Sequence, residues 1–289
     1  MTPRDRSSLF AIPVLVLLGA LTALAGSQGG SCLGGFPVFG LCVALAYLIQ
    51  WVVFLPSFLR QTEKLFDLTG SLTYLSLTGF ALASSRDIDA RAMLLSAMVA
   101  IWAARLGTFL YRRIQKAGKD DRFDELKPSF SRFLAVWTIQ ALWVTLTAAA
   151  ALIGITTTVR AELDVWAAVG LVVWAIGFGT EVVADAQKSR FSANEANRGR
   201  FIQTGLWSRS RHPNYFGEIT LWIGVLIVSV PVLEGWHWIA LLSPVFVTLL
   251  LVRVSGIPLL EQKADQRWGG HADYEAYKKR TPVLIPRLF

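Results

Sequence analysis

The run FLAVWTIQALWVTLTAAAALIGI, Phe133–Ile155, is 23 consecutive residues without a charged group. As an α-helix it measures about 35 Å, enough to cross a hydrocarbon layer of roughly 30 Å. Seven further stretches of similar character flank it, at roughly 9–27, 36–58, 68–84, 92–111, 163–184, 215–233 and 236–256. A strand-built barrel calls for short alternating segments, and the sequence has none. The pattern predicts an all-α, polytopic integral membrane bundle of 7–8 transmembrane helices, a single membrane domain over residues 1–289. Composition agrees: 54% of the 289 residues are hydrophobic, 17% are charged, and mean hydropathy is +0.48.

The formal net charge of +8 raises the question of a nucleic-acid partner, and the placement of the charges answers it. With the N-terminus in the cytoplasm, 24 of the 28 Lys and Arg residues fall on the cytoplasmic side. Only Arg86, Arg91 and Arg160 fall on the other side, and Arg105 lies within an apolar stretch. This asymmetry is the positive-inside signature, and it places both termini in the cytoplasm. Orientation accounts for the basic balance, so no nucleic-acid surface is implied. The first apolar run follows Arg4 and Arg6 and ends near Ala23-Leu24-Ala25, like a secretory signal. Its length favours a retained first helix. Cys32 and Cys42 have neither metal-ligand nor redox spacing, and read as small packing residues.

Three polar pieces, 112–132, 185–214 and 257–289, share the cytoplasmic side and can converge on one site there. Arg105, Arg112 and Arg113 recur at helical spacing on one face. Arg112 and Arg113 suit a helix end snorkelling to the lipid surface, but Arg105 lies two turns inside an apolar run and calls for an anionic partner or an aqueous cavity. Glu181, Asp185, Gln187, Lys188, Arg190, Asn194 and Asn197 crowd the end of the sixth stretch. Asp185 and Lys188 fit a plain i,i+3 helix pair, while the Asn residues and spaced arginines suit a sugar and a phosphate. Residues 208–218, SRSRHPNYFGE, load polar groups onto the start of the seventh stretch. A helix beginning near Pro213 would offer free N–H groups to an anion, with Asn214 and Glu218 on one inward face at i,i+4. The tail, with Glu261, Trp268, Tyr274 and Tyr277, reads in large part as an amphipathic surface helix. No Rossmann or Walker fingerprint occurs, and His212, His237 and His271 lack metal-ligand spacing, so no metal is expected.

Asp185-Ala-Gln187-Lys188, Gly205-Leu206-Trp207, Arg211-His-Pro-Asn-Tyr-Phe-Gly-Glu218, Gly256-Ile-Pro258 with Glu261, and Leu284-Ile-Pro286 together resemble the steroid 5α-reductase-like family, in its bacterial branch. The resemblance runs from about Arg60 to the C-terminus and is strongest over 181–289. It implies an enzyme, at an inner membrane of bacterial type, that passes hydride from NADPH to an activated carbon–carbon double bond of a lipophilic substrate taken from the bilayer. By position, Asn214, Gly217 and Glu218 match the family's run beside the nicotinamide, and Asp185 matches an acidic residue near the adenosine. Arg105, Arg112, Arg190 and Arg211 are assigned to the phosphates. Asn194, His212, Tyr215 and Tyr277 complete the cofactor candidates.

The family's Gln-Glu pair before Pro-Ser-Phe is replaced here by Val53-Phe54 ahead of Pro56-Ser57-Phe58. Glu63, Asp67, Tyr74 and Tyr111 are the candidate proton donors that could stand in for it. Glu63 also fits an ordinary exposed loop, and Asp67 a cap on the third helix. A shorter form of the 211–217 run resembles membrane methyltransferases that use S-adenosylmethionine; their second glutamate would fall at Gln262. A non-catalytic transporter or scaffold is the third reading, and it lacks the repeated broken helices that transport would favour.

Overall fold

The computed structural model describes residues 3–287. Helices dominate: α1 (Pro3–Gly26), α2 (Val38–Leu59), α3 (Phe66–Ser84), α4 (Ala90–Ala117), α5 (Phe130–Thr156), α6 (Val165–Ala193), α7 (Pro213–Ser229), α8 (Leu242–Leu249), α9 (Ile257–Trp268) and α10 (Ala272–Arg280). A two-stranded hairpin, β1 (Cys32–Leu33) with β2 (Phe36–Pro37), is the one sheet among the described residues. Among the described residues, seven segments are long and apolar enough to span a membrane, the last running through 3₁₀, α and π turns from Gly235 to Trp268. The expected all-α membrane bundle is therefore observed. The eighth apolar stretch is α3, a 19-residue helix diluted by Thr, Ser and Gly.

Two helices outrun their apolar stretches. Helix α4 continues to Ala117, and α6 continues to Ala193, so Asp185, Lys188 and Arg190 ride on helix α6 and not in a loop. Hydropathy marks where a helix leaves the bilayer, whereas backbone hydrogen bonding continues until a breaker such as Gly118. Cys32 is exposed on the hairpin, contrary to the expected packing role; Cys42 is buried as expected.

The chain divides into two compact units: residues up to Ala167 with Val228–Ser243, and Ala168–Ile227 with the segment from Pro244 onward. In the first unit α5 is central, with 78% of its apolar window buried against 17% for α1, which leaves α1 for lipid. Small residues Ala148–Ala151 let neighbouring helices close on α5, and Ser243 Oγ donates to Thr147 O at 2.5 Å. Two of the α5 threonine hydroxyls are satisfied on the preceding turn, Thr138 by Leu134 O (2.8 Å) and Thr145 by Ala141 O (2.9 Å). Arg91, counted as an outer-loop charge by sequence, is buried at 1% exposure. It donates to Val228 O and Glu162 O at 2.6 Å each and to Asp164 at 2.8 Å. Its charge is thus spread over fixed acceptors, the condition for burying a guanidinium.

In the second unit, glycines set how near α6 and α7 approach. A Cβ on Gly217 would meet Glu181 N and Gly177 O at 2.6 Å, and one on Gly224 would meet Trp174 N at 2.5 Å. A helix pair that shares such contacts packs backbone to backbone.

Candidate functional site

The polar cluster of the second unit is assembled by the loop from Thr204 to His212. Gly205 takes a left-handed φ of +61°, and a Cβ there would strike the Gln187 carboxamide at 2.6 Å. Glycine thereby lets the Gln187 oxygen accept the Leu206 N–H at 2.9 Å. The next residue, Trp207, is buried and donates from Nε1 to Ala184 O at 3.0 Å. Tyr277 donates its hydroxyl to Trp207 O at 2.7 Å, and the Lys188 ammonium sits 4.7 Å from the Trp207 ring centroid. The tail straps the far side: Arg211 N donates to Pro282 O (2.9 Å), Ser210 Oγ to Leu284 O (2.7 Å) and Arg287 N to Arg209 O (3.0 Å). Both motif runs quoted from the sequence, Gly205–Trp207 and Leu284–Pro286, thus brace one loop.

That bracing presents Arg211 and His212 to Glu261, one turn into α9. Arg211 Nη1 lies 2.9 Å from Glu261 Oε2, and His212 Nε2 lies 2.8 Å from Glu261 Oε1. The Tyr215 ring stacks on His212 at 5.6 Å and 8°, holding the imidazole plane. Burial lowers the His212 pKa below its ordinary 6.5, against the raising pull of Glu261. The Glu261 carboxylate accepts a hydrogen bond from Nε2–H, so neutral His212 keeps its proton on Nε2 and presents Nδ1 as a bare acceptor. That Nδ1 is buried without a partner, as are Arg211 Nε and Asn214 Oδ1. One donor and two acceptors in a row at the start of a membrane helix carry a desolvation cost that a ligand can relieve.

The other candidates fall as follows. Asp185 is buried on α6 one turn after buried Glu181, whereas Arg190 is exposed on its last turn. The Asn194 oxygen caps a 3₁₀ turn by accepting Ala196 N at 3.0 Å. Tyr277 is buried, with its hydroxyl committed to the loop it supports. Glu218 is half-buried on α7, and Gly217 makes the α6 contact already described.

In the first unit, Glu63 is buried and not the exposed loop residue its surroundings suggested. Burial pushes its carboxyl up, but Lys127 Nζ at 2.6 Å and Asp120 N–H at 2.9 Å outweigh that and hold it below the ordinary value. Asp67 pairs with Arg113 at 3.3 Å, and the N-cap of α3 is Leu65, so Asp67 is not its cap. Tyr74 is buried edge-on to Trp102, with ring centroids 5.0 Å apart, and Tyr111 is exposed on α4. Half-buried Arg105 lies over Phe109 at 5.2 Å, one turn on, and Arg112 is exposed. Glu261, Gln187, Lys188 and Trp207 were quoted in sequence motifs but not chosen as site residues. Their spacing gives no hint that they meet the 205–212 loop.

The family described as "Protein of unknown function (DUF1295)" matches residues 53–281. The chain belongs to this family. DUF1295 lies within the steroid 5α-reductase-like and methyltransferase membrane superfamily, and its match takes in the whole Arg211–Glu261 cluster. Over 55 residues the chain is also 38% identical to a probable O-methyltransferase of Ustilaginoidea virens. That stretch is 19% of this chain and 19% of the fungal protein, so the chain spans about a fifth of that relative's length. No solved structure matches this DUF1295 member.

Proposed function

We propose that this DUF1295 protein is a membrane oxidoreductase that reduces an activated carbon–carbon double bond of a bilayer-soluble substrate with NADPH. The observation that carries the reading is the trio of buried, unpartnered atoms Arg211 Nε, His212 Nδ1 and Asn214 Oδ1. One donor beside two acceptors is the complement of a primary carboxamide, which offers one C=O and two N–H groups. The residues present therefore fit a nicotinamide. When bound, NADPH would supply the hydride.

The chain's own groups then bind, orient and protonate. Arg211 donates, His212 and Asn214 accept, and Glu261 fixes the His212 tautomer. Glu218 follows Asn214 by one turn on α7, and Arg190 offers charge to a phosphate. Asp185 accepts from a ribose hydroxyl in this reading. Among the proton-donor candidates, Glu63 is held ionised by Lys127, Asp67 is paired with Arg113, and Tyr111 is exposed. Tyr74 is buried on α3 and stays a candidate donor beside them.

A second reading, methyl transfer from S-adenosylmethionine, is favoured by the stretch shared with the fungal O-methyltransferase. An α-ammonium and carboxylate would also complement the trio. Thermal shift and product mass separate the two. NADPH is expected to raise the melting temperature more than NADH or S-adenosylmethionine, and the product to gain two hydrogens and not a CH₂. Asn214→Ala and Glu218→Gln should each weaken NADPH affinity or turnover by about 5- to 150-fold. Stabilisation by S-adenosylmethionine alone would transfer the case to the methyltransferase.

A further inference from the structure

At the opposite end of the first unit from Glu63, the α1–α2 hairpin, the α3–α4 turn and the α5–α6 loop surround two adjoining clefts. Their volumes are about 460 and 430 Å³, and both are lined by Arg160. Arg86 and Ser31 line one beside Arg160; Asp89 and Glu162 line the other. The clefts lie where α5 ends at Thr156 and α4 begins at Ala90. The ends of spanning helices mark headgroup depth in a bilayer.

The donor inventory leaves chemistry over. Arg160 Nη2 donates to Arg86 O at 2.7 Å, while Arg160 Nε is buried without a partner. Ser31, 3% exposed, accepts the Arg86 N–H at 3.3 Å and keeps its own proton to give. Asp89 Oδ1 caps α4 through Ala92 N at 2.8 Å, and its Oδ2 is buried and unpartnered. Asp87, with a left-handed φ of +53°, adds a third carboxylate. Two guanidinium groups against three carboxylates disfavour a simple anion. They suit a ligand that carries both signs, with its positive end able to donate hydrogen bonds.

We propose that this double cleft binds the headgroup of an ethanolamine phospholipid. The phosphodiester lies toward Arg160, Arg86 and Ser31, and the primary ammonium toward Asp89 and Glu162. A choline headgroup has the same charges but no N–H, and leaves Asp89 Oδ2 unpaired. Because the cleft lies in the first unit, the assignment stands apart from the cofactor reading.

The test is the melting temperature of the full chain in nanodiscs of dioleoylphosphatidylethanolamine or dioleoylphosphatidylcholine, with soluble glycerophosphoethanolamine as a third arm. The ethanolamine lipid is expected to raise it by about 5 °C over the choline lipid. Arg86→Gln and Glu162→Gln, both at exposed side chains, should each abolish that difference. Equal melting in the two lipids, or a difference that survives in both variants, overturns the proposal. A shift from glycerophosphoethanolamine as large as the lipid's, at matched concentration, overturns the lipid assignment.

Discussion

Replacing Glu261 by Gln tests the clamp at the heart of the second unit. The native carboxylate accepts from Arg211 at 2.9 Å and from His212 at 2.8 Å, between side chains 14% and 6% exposed. Removing one member of a fully buried ion pair costs roughly 3–5 kcal/mol. Here Glu261 is itself 24% exposed, and Gln retains one acceptor oxygen, so a loss of about 1–2 kcal/mol is expected, or about 2–6 °C in melting temperature. Glu261→Ala, which leaves Arg211 without its carboxylate, should cost about 3 kcal/mol. The Gln amide can also donate to His212 Nε2, which moves the ring proton to Nδ1 and turns the bare acceptor into a donor. On the proposed cofactor reading, NADPH affinity should then fall about tenfold or more, beyond the stability change. Detergent-solubilised protein suffices: thermal unfolding, an NADPH titration, and a double-mutant cycle with His212→Phe expected to give a coupling above about 0.5 kcal/mol. Wild-type melting and wild-type affinity in both Glu261 variants, with no coupling, would refute the reasoning.

Arg91→Leu should lower stability by about 3 kcal/mol or more, since it strips three acceptors of a charged donor. Asp164→Asn should stay within about 1 kcal/mol, because that carboxylate is 39% exposed and Asn keeps an acceptor; denaturant midpoints compare the two. Gly217→Val places a side chain where α6 backbone already sits at 2.6 Å, and about 3 kcal/mol or failure to accumulate in the membrane is expected. The His212 pKa lies below 6.5 in the folded chain. Its contribution is therefore fully present above about pH 6.5 and is lost as pH falls below it, since the unfolded chain takes up the proton first. His212→Gln should remove that step from a stability-versus-pH profile, and an unchanged profile would count against a buried neutral imidazole.

Helix number, membrane character and the basic bias of alternate loops are properties of the chain read in order. An uncharged run such as Phe133–Ile155 can satisfy its backbone in lipid only as a helix. The Arg211–Glu218 run was equally legible as polar chemistry at a helix start, because such residues serve no purpose against lipid. Tertiary structure decided the rest. Glu261 meets His212 across 49 residues, and Glu63 meets Lys127 across 64. By sequence Glu63 is a candidate donor or an exposed loop residue, and Glu261 a motif position in a surface tail; neither reading names these partners. Gly217 is assigned by motif, and only the packed structure shows that it is also a point where two helix backbones touch. Tyr277 spends its hydroxyl on the Trp207 carbonyl, a partner 70 residues away. A side chain's partner depends on which helices pack together and at what rotation, and no local pattern in the sequence encodes that choice.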